Sequence, residues 1–197
     1  MTSARETILS RLEQARPPAS EAPAAMSGPP RADDEIGTLR RHIEAAGGRL
    51  QVVSRANGGL AGVRWPIDLD TTRHLHSSIP EVESRGVGTT SGSDRELADL
   101  DLCILPADFA VVENGAAWQI PARPRERSAA LLAEHLVLVV DAQDLVPTMH
   151  EAYERIDLGD SHFGWFLCGP SKTADIEQAL VLGAHGPKTM TLVLVDD

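Results

Sequence analysis

Cysteine is nearly missing from this chain: two occur in 197 residues, Cys103 and Cys168. Two thiols cannot build a disulfide framework, nor supply the four thiolates that ordinarily hold an iron-sulfur cluster. Both lie within or at the end of apolar runs, where a small buried hydrophobe is the ordinary role of the residue. Long apolar runs are missing too. No stretch approaches the roughly 20 residues that span a bilayer, and charges throughout the first 15 residues exclude a signal-peptide core. A soluble, cytoplasmic protein without membrane contact is expected. Cations are in short supply, with 18 Lys plus Arg against 29 Asp plus Glu and a net charge of -11. A nucleic-acid footprint needs clustered cations against the phosphates, so nucleic acid is set aside as a partner. The histidines (His42, His74, His76, His135, His150, His162 and His185) show no His-Glu-x-x-His or related spacing, and no metal is predicted.

What is present suits one α/β domain with an N-terminal appendage. Ser3 and Glu6 make a capping box ahead of an apolar stripe of Ile8, Leu9 and Leu12, which predicts a helix within residues 1–16. Residues 17–32 are rich in Pro, Ala and Ser without periodicity and read as a linker. On that tether the stripe can pack on the main domain, residues 33–197, or on a neighbouring subunit, so a homo-oligomer is one expectation. Asp33 or Asp34 can cap a second helix with Ile36, Leu39 and Ile43 inward, ended by Gly47-Gly48 and followed by a strand over 50–53. Residues 57–94 are the least regular part. Their Gly/Ser-rich run, 86–93, lacks the Lys-Ser/Thr ending of a P-loop and reads as a flexible connection.

From residue 100 the pattern sharpens. Residues 102–105 are apolar, and two strand-like runs, 109–113 and 116–120, flank Asn114-Gly115, the cue for a hairpin with a type I′ turn. A helix over 125–134 precedes a strand over 136–140. Asp141 can cap a following helix with Leu145, Met149 and Tyr153 inward, before an apolar run over 163–168. A Gly-Pro-Ser turn, a helix through Ile176, Leu180 and Val181, a Gly-rich exit and a last strand over 191–195 complete the chain. Strands alternating with helices predict an α/β fold, a mainly parallel sheet flanked by helices with one antiparallel hairpin. In such a sheet the loop opening the last helix lies at the carboxyl ends of the strands, where ligands bind.

The candidate chemistry concentrates there. At a helix start, Ser171, Lys172 and Thr173 combine free backbone N–H groups, the positive end of the helix dipole, two hydroxyls and an ammonium, a receptor for a small carboxylate or phosphate. The plainer alternative is a helix cap. Asp175 and Glu177, two apart in the first turn, face different directions, and Asp175 lies nearer the loop. His185 can act as acid or base near neutral pH, but a loop leaving the helix enters the opposite side of the sheet from Ser171. Glu113 ends an apolar strand, where burial favours its protonated form.

The run GPSKTADIEQALVLGAHGP closely resembles the C-terminal signature of the lactate utilization protein C family (LutC, YkgG-like). SARETILSRLEQA resembles that family's N-terminal helix, and ADLDLCILPADFAVVENGA is similar to its central strand and hairpin. The resemblance implies a LUD-type domain related in fold to sugar isomerases and coenzyme A transferases. It also implies a bacterial cytoplasmic role in oxidising L-lactate to pyruvate, beside two iron-sulfur partner proteins. The sequence departs from the family at two places. Lys172 stands where relatives carry Arg, which loses the bidentate fork for a carboxylate. Glu113-Asn114-Gly115-Ala116 stands where relatives read Glu-Thr-Gly-Thr, which loses both hydroxyls.

These readings give a candidate ligand-binding set of Asn114, Gly115, Gly169, Ser171, Lys172, Thr173, Asp175 and His185, with Glu113 as the candidate catalytic residue and no cofactor in this chain. The expected function is that of an accessory, non-redox subunit of an L-lactate-oxidising assembly, its iron-sulfur clusters held by partner subunits. The alternative is a free-standing enzyme resembling isomerases or coenzyme A transferases, acting on a sugar phosphate or acyl thioester through Glu113. A third is an interaction module that dimerises through the N-terminal helix.

Overall fold

The computed structural model describes residues 3–18, 28, 30–83, 94–159, 161–176 and 179–197. In chain order the elements are α1 (Ala4–Gln14), α2 (Glu35–Ala45), β1 (Arg49–Ser54), β2 (Leu75–Ser77), α3 (Pro80–Glu83), β3 (Leu102–Pro106), β4 (Phe109–Val111) and β5 (Ala117–Gln119). There follow α4 (Pro124–Leu132), β6 (His135–Asp141), β7 (Leu145–Val146), α5 (Met149–Arg155), β8 (Trp165–Leu167), β9 (Lys172–Ile176), β10 (Ala179–Leu182) and β11 (Thr189–Asp196). The run over 86–93 lies outside the described residues.

Five strands form the main sheet in the order β1-β11-β6-β3-β2, every neighbouring pair parallel. The chain crosses from β1 to the far edge at β2 and then steps back one strand at a time until β11 closes against β1. Side chains alternate between the faces, as the pleat requires. Leu136, Leu138, Met190, Leu192 and Leu194 point to one face, where Leu39 and Ile43 of α2 and Ala129 and Ala130 of α4 cover them. Leu102, Ile104, Val137, Val193 and Val195 point to the other, beneath Val63, Leu69, Ile79 and Val82. Each such Leu or Val contributes about 1.5–3 kcal/mol by leaving water. A second sheet, β7-β4-β5-β8, hangs on the carboxyl side of β3. Phe109, Trp118 and Phe166 pack across it, with the Trp118 and Phe166 ring centroids 4.7 Å apart.

The local chemistry of several elements matches their sequences. Ser3 and Glu6 bond each other's backbone in a capping box, and Asp34 caps α2 through the Gly37 N–H. Two local expectations are corrected. Asp141 caps only a 3-10 turn, through Gln143 N–H. Leu145 lies in β7, because Pro147 removes a donor and forces the preceding residue out of helical geometry, and Tyr153, on α5, is exposed. Thr148 then caps α5. The Asn114-Gly115 hairpin pairs Phe109 with Trp118 and Ala110 with Ala117, but its turn is not type I′. Gly115 N–H donates to Val111 O, and Val111 N–H to Ala116 O. The loop is therefore four residues, 112–115, and Gly115 alone has a positive φ, +76°.

Candidate functional site

The C-terminal segment holds no helix among the described residues, so the helix start on which the anion receptor was expected is corrected. Lys172–Ile176 and Ala179–Leu182 pair antiparallel, with Thr173 opposite Val181 and Lys172 opposite Leu182. Ser171 ties the ends together: its N–H donates to Pro187 O at 2.9 Å, and its carbonyl accepts from Gly183 N–H at 3.0 Å. A helix over ten residues carries its ends about 15 Å apart, which those two bonds forbid, whereas a hairpin brings them together. The Ser171 N–H, which the anion was to use, is thereby occupied. Lys172 is exposed, and Asp175 lies in β9.

The position of this segment in the fold also differs from expectation. Residues 183–188 lead into the amino end of β11, and Lys188 N–H bonds Glu134 O just before β6. Ser171 therefore sits at the amino edge of the parallel sheet. The loop holding His185 returns beside it: an ideal Cβ on Gly186 would lie 2.8 Å from the Ser171 Cβ. Ser171 and the loop that holds His185, assigned to opposite sides of the sheet while the intervening segment read as a helix, lie side by side.

Asn114, Gly115 and Gly169 do come together, around the C-terminal half of α2, whereas Glu113 turns to the start of α5. His42 Nδ1 lies 2.9 Å from Val112 O, and the Cys168 thiol donates to Asn114 O at 3.5 Å. An ideal Cβ on Gly169 would meet Ala46 O at 2.4 Å, so only glycine permits that approach. Partial desolvation pushes the Cys168 thiol up, with Lys172 opposing, while the residue stays accessible to solvent. Glu113 is exposed, contrary to the burial expected from its strand, and its Oε2 accepts the Met149 N–H at 2.7 Å. It closes the start of α5.

The opposite edge of the main sheet carries a cleft of ≈ 870 Å³. Each of the five strands delivers part of its lining at or just beyond its carboxyl end. Arg55 follows β1, Val195 nears the end of β11, Asp141 ends β6, Pro106 ends β3, and Ser78 and Ile79 follow β2. A 3-10 segment, Gly59–Gly62, and Trp65 supply another wall. Ligands of open α/β sheets bind at this edge, because strand ends and the loops leaving them converge there. Arg55 pairs with Asp141 and lies 3.8 Å from Asp197. Asp144, also in the lining, pairs with Arg155. The Ser77 hydroxyl accepts the Ile79 N–H at 3.0 Å, but the buried Ser78 Oγ has no partner among the described residues. An unpaired buried hydroxyl costs about 1–3 kcal/mol.

The sequence carried two cues to this edge, Arg55 after one strand and Asp141 after another. β2, only three residues long inside the irregular middle, left no periodic signal, and without it the cleft could not be placed. No helix among the described residues is long and apolar enough to cross a membrane. Among those residues no three His, Cys, Asp or Glu side chains gather as a metal site.

The LUD domain family matches residues 81–195. A protein named lactate utilization protein C from Exiguobacterium sp. (strain ATCC BAA-1283 / AT1b) is 33% identical over 112 residues, 53% of this chain and 49% of that protein. One of the same name from Oceanobacillus iheyensis is 31% identical over 104 residues, 49% and 44% of the two chains. Another from Geobacillus kaustophilus is 28% identical over 175 residues, 82% and 68%. The match spans about half the length of most of these relatives. A crystal structure of a DUF162 family protein from Deinococcus radiodurans shares the fold, with a TM-score of 0.58 over 82% of this chain and 96% of that one, at 18% identity.

Proposed function

Because the chain belongs to the LUD domain family, we propose that it serves a lactate utilization system as an accessory component, bringing no iron-sulfur cluster of its own and working beside iron-sulfur proteins. The observation that carries this reading is the similarity to proteins named lactate utilization protein C, one of them across 82% of the chain. Two cysteines, one buried in β3 and one exposed after β8, cannot form a four-thiolate ligand set. Clusters for lactate oxidation then belong to partner chains.

The cleft at the carboxyl edge is the working surface in this reading. The one cation among the described residues of its lining, Arg55, is already paired with Asp141, and the lining carboxylate Asp144 is paired with Arg155. That balance disfavours a lactate anion and supports an accessory role over direct oxidation of lactate. The anion site at Ser171–Thr173 has no part in the proposal, since its helix is a hairpin. Acyl transfer through Glu113 gains no support either, because that carboxylate caps α5 outside the cleft.

The test is growth of a deletion strain of the native host. Deletion is expected to abolish growth on L-lactate and spare growth on glucose. Wild type and Lys172→Ala restore it, whereas Ala61→Trp, which fills the cleft from an exposed position, does not. The tagged chain brings down proteins with the visible absorbance of iron-sulfur clusters. Normal growth of the deletion strain on lactate overturns the reading.

A further inference from the structure

We propose that the cleft at the carboxyl edge binds an uncharged, flat-ringed, hydroxyl-bearing molecule of nucleoside size; this rests on the reading of that cleft as the working surface. Its ≈ 870 Å³ falls within the roughly 300–1,000 Å³ of sites that enclose drug-sized ligands. A three-carbon acid would leave most of that space to water. Leu60, Trp65 and Val139 present apolar surface to it, which a planar ring covers without polar partners, and the indole adds a stacking face.

The polar groups are matched to hydroxyls. Arg55 and Asp141 bond each other in the lining, and Asp141 also accepts the Gln143 N–H; the remaining guanidinium N–H groups and carboxylate lone pairs suit a hydroxyl, which both donates and accepts. The Ser78 hydroxyl, buried in the lining without a partner, gains one by rotating about χ1 toward a ligand oxygen. Charge selects against phosphate. The one cation among the described residues of the lining, Arg55, is already held by Asp141 and lies 3.8 Å from Asp197, Asp144 is paired with Arg155, and the chain carries a net charge of -11. A phosphorylated ligand would enter an already negative field, whereas the parent nucleoside meets no such opposition.

The full-length chain is titrated by calorimetry and saturation-transfer NMR with adenosine, guanosine, cytidine, uridine, their 5′-monophosphates and L-lactate. At least one nucleoside is expected to bind, and its monophosphate at least tenfold more weakly. Trp65→Ala and Ala61→Trp are expected to weaken nucleoside binding tenfold or more, and Lys172→Ala not at all. Ala61→Trp keeps the test sound if Trp65→Ala unfolds, since residue 61 is exposed and thermal melting verifies its fold. Absence of binding by all four nucleosides overturns the proposal. So does a monophosphate that binds as tightly as its nucleoside, or unchanged affinity in a folded Ala61→Trp. Such failures leave the growth defect of the deletion strain standing, whereas normal growth on lactate with intact nucleoside binding removes only the lactate reading.

Discussion

An ideal Cβ on Gly115 would lie 2.9 Å from Ile43 N and 3.0 Å from its Cγ1, at a φ of +76°. Gly115→Ala therefore combines left-handed strain of ~1–2 kcal/mol with overpacking of ~1–3 kcal/mol. Urea unfolding is expected to show a loss of about 2–5 kcal/mol, and a change within ~0.5 kcal/mol would contradict the packing described. The glycine's positive φ was legible from the Asn-Gly pair. The pressure from α2 was not, because it comes from a residue 72 positions away in the chain. The two cysteines separate similarly. Cys103 is fully buried in β3, where desolvation pushes its thiol up, while Cys168 is exposed. A thiol reagent is expected to titrate one cysteine per native chain and two in guanidinium chloride.

At the scale of elements, α1 buries none of its residues, and Ile8, Leu9 and Leu12 are exposed. Removing residues 1–16 is expected to move the unfolding free energy of the remaining chain by less than ~0.5 kcal/mol; a larger loss would reveal a contact with the main domain. Its helical character was legible because capping is local, reading three residues ahead. The hairpin β9–β10 was not legible, because apolar residues at Ile176, Leu180 and Val181 fit a helical stripe. Two backbone bonds from Ser171 to Pro187 and Gly183 decide the matter. A further link, Lys188 Nζ to Glu134 Oε1 at 2.7 Å, joins the starts of β11 and β6 and lowers the Glu134 pKa, chiefly through that hydrogen bond. Its stabilisation is present above the ordinary carboxylate range and is lost as pH falls through the lowered value. Both groups are about half exposed, so Lys188→Met is expected to cost under ~1 kcal/mol at pH 7. Urea titrations at descending pH should show that cost vanish in acid.

For the whole molecule, stability rests on the parallel sheet. Leu192, fully buried on β11 between β1 and β6, is expected to cost about 2–5 kcal/mol when cut to alanine. Val181→Ala, at an exposed hairpin position, should stay within ~0.5 kcal/mol, and equal losses would place the core elsewhere. The sequence by itself determined the class of the fold and the absence of a four-cysteine cluster. Continuous apolar runs such as residues 136–140 encode burial on both faces of a sheet, and cysteines can be counted. Only the tertiary structure decided where the functional surface lies. The cleft gathers Arg55, Ser78, Pro106, Asp141 and Val195, each at or just past the carboxyl end of a different strand, and their proximity arises from the order β1-β11-β6-β3-β2. That order is set by long-range strand pairing and the covering of both sheet faces, and no local spacing records it.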